Sequence, residues 1–402
     1  MVFKPEKLIG AALVASLAAA GAAQAGGLER AGYNVDLLFD SSRFTTEAGV
    51  VYVMPERKLN NVVDVNPLNG VGSNGIGGGA TNGVSDTESY AIPRVGAKLG
   101  IGDNVDCLAD YSQPYGAHSN PGRNWAGANS NVETKIESDG YAATCSYKFQ
   151  AGKGQLRFIG GVSYLEIGGF KERLVSPLPL PVLTGVGRVD LDASGMGWRA
   201  GVAYEIEEIA LRVSAMYYSE VDLDNVSGNL DLTQVFGVPT VIPVFGAATM
   251  PQAFELKAQS GIAPGWLAFG SVKWVDWSVL QTIPLCPVGT PTCNTSTQVT
   301  SLNLGYRDGW TVTGGVGHKF TDTISGLFAI SWDRGTATTY GTQSDTWTFA
   351  AGASFTPSEN VELRVGGALG VLTSGSSIDS EVSYDYDNDL VSAVSAAIKV
   401  KF

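Results

Sequence analysis

Few side chains in this chain are placed to do chemistry, and each of them has a plainer explanation. The 402 residues hold two histidines, His118 and His318. Nucleophilic catalysis would need a histidine beside an activated serine, and neither stands in such a constellation. Both read as ordinary polar residues rather than as catalytic groups or pH switches. Asp385, Asp387 and Asp389, with Asp379 and Glu381 nearby, alternate as calcium ligands sometimes do. They lack the glycine turn and closing glutamate of a calcium loop, so a solvated loop leading into a strand is the better reading. The stretch with Gly75, Gly77, Gly78, Gly79 and Gly83 does not sit between a strand and a helix, so it is a surface loop rather than a phosphate cradle. No metal and no cofactor is expected. The four cysteines, Cys107, Cys145, Cys286 and Cys293, fall into two local pairs, which makes the redox compartment the first question.

The N-terminal segment answers it. Lys4 and Lys7 precede an apolar run from Leu8 to Ala20, followed by Ala23-Gln24-Ala25, the pattern of an export signal cleaved after residue 25. Its removal takes away Lys4, Lys7 and Glu6, leaving 38 acidic against 24 basic residues from the original 39 and 26. A chain this acidic makes nucleic acid an improbable partner. An oxidising destination makes two disulfides the expectation. Cys286 and Cys293 bracket six residues of one loop, whereas Cys107 and Cys145 would lie on neighbouring strands with the same outward parity, bridgeable if the register allows.

Past residue 25 no uninterrupted apolar run of about 18 residues occurs, so any membrane solution has to be a closed barrel. Period-two segments recur along the chain. Val361, Leu363, Val365, Leu369 and Val371 alternate with Glu362, Arg364, Gly366 and Ala368; Trp198, Val202 and Tyr204 alternate with Arg199, Gly201 and Glu205. Fourteen such segments run from Phe44 to Phe402, and every second connection is tight, as at Gly102-Asp103-Asn104 and Ala151-Gly152-Lys153. Short turns on one side and long loops on the other are the asymmetry of an outer-membrane barrel. Aromatic residues cluster near both ends of the segments, Tyr204, Trp266 and Phe355 at one and Tyr164, Trp274, Trp277 and Trp332 at the other, as two interfacial girdles would. The fold expected is therefore all-β, a fourteen-stranded antiparallel transmembrane β-barrel over residues 44–402. Residues 26–43 precede it, and the terminal Phe402 resembles the signal read by the barrel-assembly machinery.

Three blocks carry a family resemblance. Met196-Gly197-Trp198-Arg199-Ala200-Gly201-Val202-Ala203-Tyr204-Glu205 is followed by Tyr218-Ser219-Glu220-Val221-Asp222. Met250-Pro251-Gln252-Ala253-Phe254-Glu255 is followed by Trp274-Val275-Asp276-Trp277-Ser278. Tyr306-Arg307-Asp308-Gly309-Trp310 leads to Trp332-Asp333. In order and spacing these resemble the FadL family of outer-membrane long-chain fatty-acid transporters. The resemblance implies an N-terminal hatch inside the lumen, where Leu37, Leu38 and Phe39 would pack, although this hatch is short and has Asn34-Val35-Asp36 where the family commonly has Asn-Pro-Ala. It also implies a kink in strand three that opens the wall sideways, for which Pro114, Tyr115 and Gly116 are the counterpart; proline and glycine there break an otherwise regular strand.

The ligand site is expected in the long loops, because apolar side chains in a water-facing loop need a burial partner. Leu178, Leu180, Val182 and Leu183 lie after strand five, and Val235, Phe236, Val238, Val241, Ile242, Val244 and Phe245 after strand seven. They would cap the barrel and enclose a hydrophobic pocket. Lys171 and Arg173 share the lumen-facing parity of Arg157 and Ile159, and the resemblance implies that one or the other is the counterpart of a family cation that meets the ligand carboxylate. The expected function is passive uptake of a long-chain fatty acid or similar hydrophobic molecule across the outer membrane of a Gram-negative bacterium, with membrane lipid as a further partner and no enzymatic step. Three readings compete with it: an aromatic-hydrocarbon channel of the same family, a general porin, or a structural adhesive barrel. The porin would show rings of lumen charge and polar loops, and neither is evident in the sequence.

Overall fold

A computed structural model describes residues 26–30, 35–66, 79–176 and 184–402. The export-signal residues and Leu178, Leu180, Val182 and Leu183 lie outside them. Fourteen strands close into one antiparallel barrel. They are β1 (Phe44–Pro55), β2 (Tyr90–Ile101), β3 (Val105–Ser112, resuming as Gly116–Ser119), β4 (Glu133–Ala151), β5 (Gly154–Val175) and β6 (Gly185–Ile206). Four interrupted strands follow: β7 (Leu211–Tyr218 and Val221–Asp231), β8 (Val241–Met250 and Ala253–Ala263), β9 (Trp266–Val275 and Thr282–Pro287) and β10 (Thr300–Asn303 and Gly309–Lys319). The wall is completed by β11 (Ile324–Asp333), β12 (Thr346–Ser358), β13 (Val361–Leu372) and β14 (Asp389–Lys401). The sheet closes where β1 pairs with β14, from Thr45 opposite Lys401 to Pro55 opposite Val391, so the barrel has no open edge to expose to lipid. At the seam the Phe402 and Phe44 rings lie 5.5 Å apart. Among the described residues no helix is long and apolar enough to cross a membrane.

The two faces of each strand divide as the alternation requires. Leu363, Val365 and Leu369 point outward and are exposed on the isolated chain, whereas Glu362 and Arg364 are buried inside. The lumen is far more charged than the sequence reading allowed. Arg157, Lys98 and Lys148 surround Asp106; Arg199 meets Asp110 at 2.7 Å; Arg364 joins Glu47 and Glu362. These charges do not form the one-signed ring of a porin, because acids and bases neutralise one another within the lumen, several of them between strands that are not adjacent. Period-two patterning shows that polar residues face inward, but not which of them meet.

The upper barrel also departs from expectation. The stretch after strand seven, expected as a loop, is mostly strand: β7 runs to Asp231 and β8 begins at Val241, joined by a four-residue helix, Thr233–Phe236. β-Branched residues such as Val241, Ile242 and Val244 favour a ladder, and a ladder need not stop at the membrane surface when both strands continue. At about 3.3 Å per residue, the 22 residues of β5 and of β6 reach roughly 70 Å, well beyond the 9–11 residues a bilayer needs. Above the barrel mouth lies a separate four-stranded sheet of Lys58–Asp64, Val84–Ser85, Gly375–Ile378 and Val382–Tyr386. Arg57 fastens it, bonding Asp389 at 3.1 Å and Ser344 at 2.7 Å with its guanidinium over the Tyr386 ring.

Candidate functional site

The hatch forms the floor of the site. A 3-10 turn over Val35–Phe39 buries Val35, Leu37, Leu38 and Phe39 against Leu108, Ile159, Ala203 and Met216 of the wall, a burial that stabilises by about 1.5–3 kcal/mol per side chain. Charges fix its position. Glu29 pairs with Lys273, Asp36 lies 3.2 Å from Lys257 and 3.9 Å from Arg212, and Asp40 lies 3.2 Å from Lys399 and 3.5 Å from Lys401. Arg157 donates to the Leu38 carbonyl at 3.1 Å. The sequence reading found the apolar anchors but not this set of ion pairs, because the basic partners lie some 180 to 360 positions further along the chain.

Above the hatch the lumen turns apolar. Leu28, Leu223, Val226, Leu230, Val244, Met250, Leu280 and Leu285 belong to one buried cluster. Within it opens a cleft of ≈ 700 Å³ including its mouth, floored by Leu28 and walled by residues such as Ile136, Ile167, Leu191, Val226 and Met250. Lys171 stands on its rim. Beyond Tyr164 on the extracellular side, this ammonium has no carboxylate within ion-pair distance among the described residues. Burial, with the neighbouring Arg173, pushes its pKa down to about 8. Asp379 and Glu381 act on it only from beyond that distance, and the other polar side chains of the lining are Thr134 and Asp192. A largely apolar cleft with a cation held this way suits a molecule with a long hydrocarbon body and an anionic end.

The expected site residues divide accordingly. Lys171 lines the cleft, and Arg173 is half-buried two residues further out. Val244 and Ile242 belong to the apolar cluster behind it; Val235 is buried in the short helix and Phe245 is half-buried. Phe236, Val238 and Val241 face solvent at 39%, 58% and 54% exposure and do not line the cleft. Among the described residues the pocket is built by the inner faces of extended strands, and the pairing of β7 with β8 turns Val241 outward. Trp277, expected in the outer girdle, is 1% exposed. It keeps the inward parity of Lys273 and Val275 where a 3-10 turn at Trp277–Val279 interrupts β9, and its ring stands edge-on to Tyr115 and Tyr306 at 5.9 Å each. Gly27, at φ +58°, passes beside it where an added Cβ would lie 2.5 Å from the indole.

Pro114, Tyr115 and Gly116 form the interruption of β3. The β2–β3 ladder ends at Arg94 opposite Ser112, and the next contacts outward are Glu88 N–H to the His118 carbonyl and the isolated bridge of Thr87 with Ser119. On the other side pairing resumes at Gly116 opposite Glu137, one residue out of step with Ser112 opposite Gly140. The freed backbone groups turn to the hatch and to one serine. Arg30 N–H donates to the Pro114 carbonyl and Gly116 N–H to the Leu28 carbonyl. Tyr115 N–H donates to Ser138 Oγ, which donates back to the Tyr115 carbonyl. Ser138, Glu29 and Arg30 carried no sequence signal for these roles.

The other reactive side chains serve the frame. Cys107 is bonded to Cys145 directly across β3 and β4, and Cys286 to Cys293 within one loop. His118 meets Glu133 at 3.0 Å, and His318 stacks on Trp266 at 4.3 Å. Asp385 and Asp387 accept from Asn61 and Asn60.

Residues 12–326 match the family described as outer membrane protein transport protein (OMPP1/FadL/TodX). The chain is 23% identical over 332 residues to the long-chain fatty acid transport protein of Escherichia coli O157:H7, covering 74% of this chain and 70% of that one. Among solved structures it superposes on a Pseudomonas aeruginosa FadL homologue with TM-score 0.76 at 15% identity, covering 91% and 92% of the two chains. It superposes on the Pseudomonas putida toluene transporter TodX with TM-score 0.62 at 13% identity, covering 96% and 97%.

Proposed function

The chain belongs to the outer membrane protein transport family (OMPP1/FadL/TodX), an outer-membrane barrel of a Gram-negative bacterium, and from that premise we propose that it takes up long-chain fatty acids passively, with no chemical step. One observation carries the choice of ligand: Lys171, with no carboxylate within ion-pair distance among the described residues, lines a cleft whose other side chains are apolar but for Thr134 and Asp192. Each buried methylene contributes about 0.8 kcal/mol, so the hydrocarbon body supplies most of the affinity. The ammonium fixes which end points outward, because a carboxylate withdrawn from water needs a cation or hydrogen-bond donors. Arg173 stands close enough to assist.

From the cleft the path continues past Leu28 to the break in β3. The carbonyl of Leu28, a residue that floors the cleft, accepts from Gly116 of the break, so displacing the hatch would alter both together. We take the interruption as the lateral exit, because its backbone groups are satisfied by a removable segment instead of by β2. Assembly of the barrel through its terminal Phe402, and contact of the exit with membrane lipid, complete the reading.

The test is equilibrium binding of oleate and of its uncharged methyl ester to the purified protein. Oleate should bind more tightly than the ester, and the difference should vanish in Lys171→Met. Equal affinity for both in the unaltered protein would favour an aromatic or neutral-hydrocarbon channel, the reading that the likeness to TodX supports.

A further inference from the structure

Arg30 has no role so far beyond its backbone. Its side chain is 5% exposed, yet among the described residues no carboxylate lies within ion-pair distance, and Nε has no hydrogen-bond partner. Its guanidinium carbon lies 4.3 Å from the centre of the Tyr90 ring on β2. On the other side it faces Gly116 of β3 so closely that an added Cβ would lie 2.4 Å from it. Continuing the β2–β3 register from Arg94 opposite Ser112 to Thr87 opposite Ser119 would set Tyr90 opposite Gly116. The hatch backbone takes the hydrogen bonds of that missing ladder, and the guanidinium lies beside it, over the face of Gly116 where a side chain would stand. Glu137 is the nearest acid by sequence register, opposite Gly116, but it pairs with Lys135 at 2.8 Å.

A buried guanidinium without an acid is costly, and one aromatic face offsets only part of the cost. The ligand proposed above supplies the missing charge. Resting on that fatty-acid reading, we infer that Arg30 is a carboxylate-binding station in the wall gap, which receives the acid end of the ligand after it leaves Lys171 and selects acids over neutral hydrocarbons at the exit. Leu28 and Arg30 are two residues apart on one strand-like segment, so the floor of the cleft and the bolt of the gap belong to the same piece of hatch. Arginine suits the position because its planar fork holds a carboxylate through two bonds while its face stays on Tyr90.

Uptake of radiolabelled oleate and of methyl oleate is measured in a Gram-negative host lacking its own long-chain fatty-acid transporter, beside oleate binding to the purified protein. Arg30→Met should lower oleate uptake about tenfold, the loss expected of one charge-assisted contact, and retain methyl oleate uptake; Arg30→Lys should recover much of the oleate uptake. Unchanged oleate uptake in Arg30→Met, or an equal fall for acid and ester, would overturn the station, the latter marking Arg30 as a structural plug. A second measurement needs no variant: oleate carrying a diazirine beside its carboxyl group should cross-link to Tyr90 or Tyr115 in the unaltered protein, and labelling confined to the cleft would overturn the proposal. Should the unaltered protein bind no oleate, the fatty-acid reading itself fails; if it binds oleate and only the Arg30 results go the other way, this inference alone does.

Discussion

At the scale of single residues the decisive fact is an unpaired charge. Lys171 stands on an apolar rim with its pKa pushed down to about 8, chiefly by burial and then by Arg173. Replacing it by methionine keeps the bulk and removes the ammonium, so affinity for oleate should fall about tenfold while that for the methyl ester holds; a pair of binding isotherms decides it. The depressed pKa also sets a pH window. Lysine is cationic below its pKa, and a fatty acid is anionic above a pKa of about 4–5, so the attraction exists between these limits. Oleate affinity should therefore weaken as pH rises through about 8, and Lys171→Met should abolish that dependence. Titrating binding in both proteins provides the check.

At the scale of elements, the interruption of β3 is held open by what replaces its ladder. Pro114 has no N–H to offer β2, and Gly116 leaves room that the Arg30 guanidinium fills. Val at 114 with Ala at 116 restores the donor and puts a methyl group where the guanidinium lies, which should drive Arg30 out and let β3 pair with β2. Uptake should then drop while the heat-stable folded band of the barrel persists on gels; full uptake by a folded double variant would argue against an exit there. Ser138 holds the other side through two bonds to the backbone of Tyr115. Ser138→Ala leaves both groups short of a partner, at about 1–3 kcal/mol each, and should speed amide exchange at Tyr115 with little change in β4 itself.

At the scale of the whole molecule, the barrel is a neutralised cylinder with a charged plug. Glu29, Asp36 and Asp40 of the hatch meet Lys273, Lys257, Arg212, Lys399 and Lys401 of the wall. Deleting residues 26–40 removes those three acids and one arginine, and leaves the wall cations facing an open lumen. The deletion should open an anion-preferring pore. Reversal potentials in planar bilayers under a salt gradient measure that preference, and a cation-preferring or closed pore would contradict the charge assignment.

What the sequence by itself determined was the wall. Alternation such as Val361, Leu363 and Val365 against Glu362 and Arg364, with tight turns at every second connection, specifies a lipid-crossing barrel, because strand periodicity is local and each strand repeats it. The inward parity of Lys171 was legible for the same reason, as was the break at Pro114 and Gly116, since proline and glycine act on their own backbone. What only the tertiary structure decided was which inward groups meet. Trp277 keeps the inward parity of Lys273 and Val275, but its edge-on partners, Tyr115 and Tyr306, are set by the fold. Phe236 and Val238 face solvent in the short connection between β7 and β8, and Val241 opens β8 on its outward face. Arg30 reaches the wall gap because the hatch crosses the lumen to β3. The partners of Trp277 and Arg30, Tyr115 and Tyr90, are residues far away in the chain, and one sequence carries no local signal for such contacts.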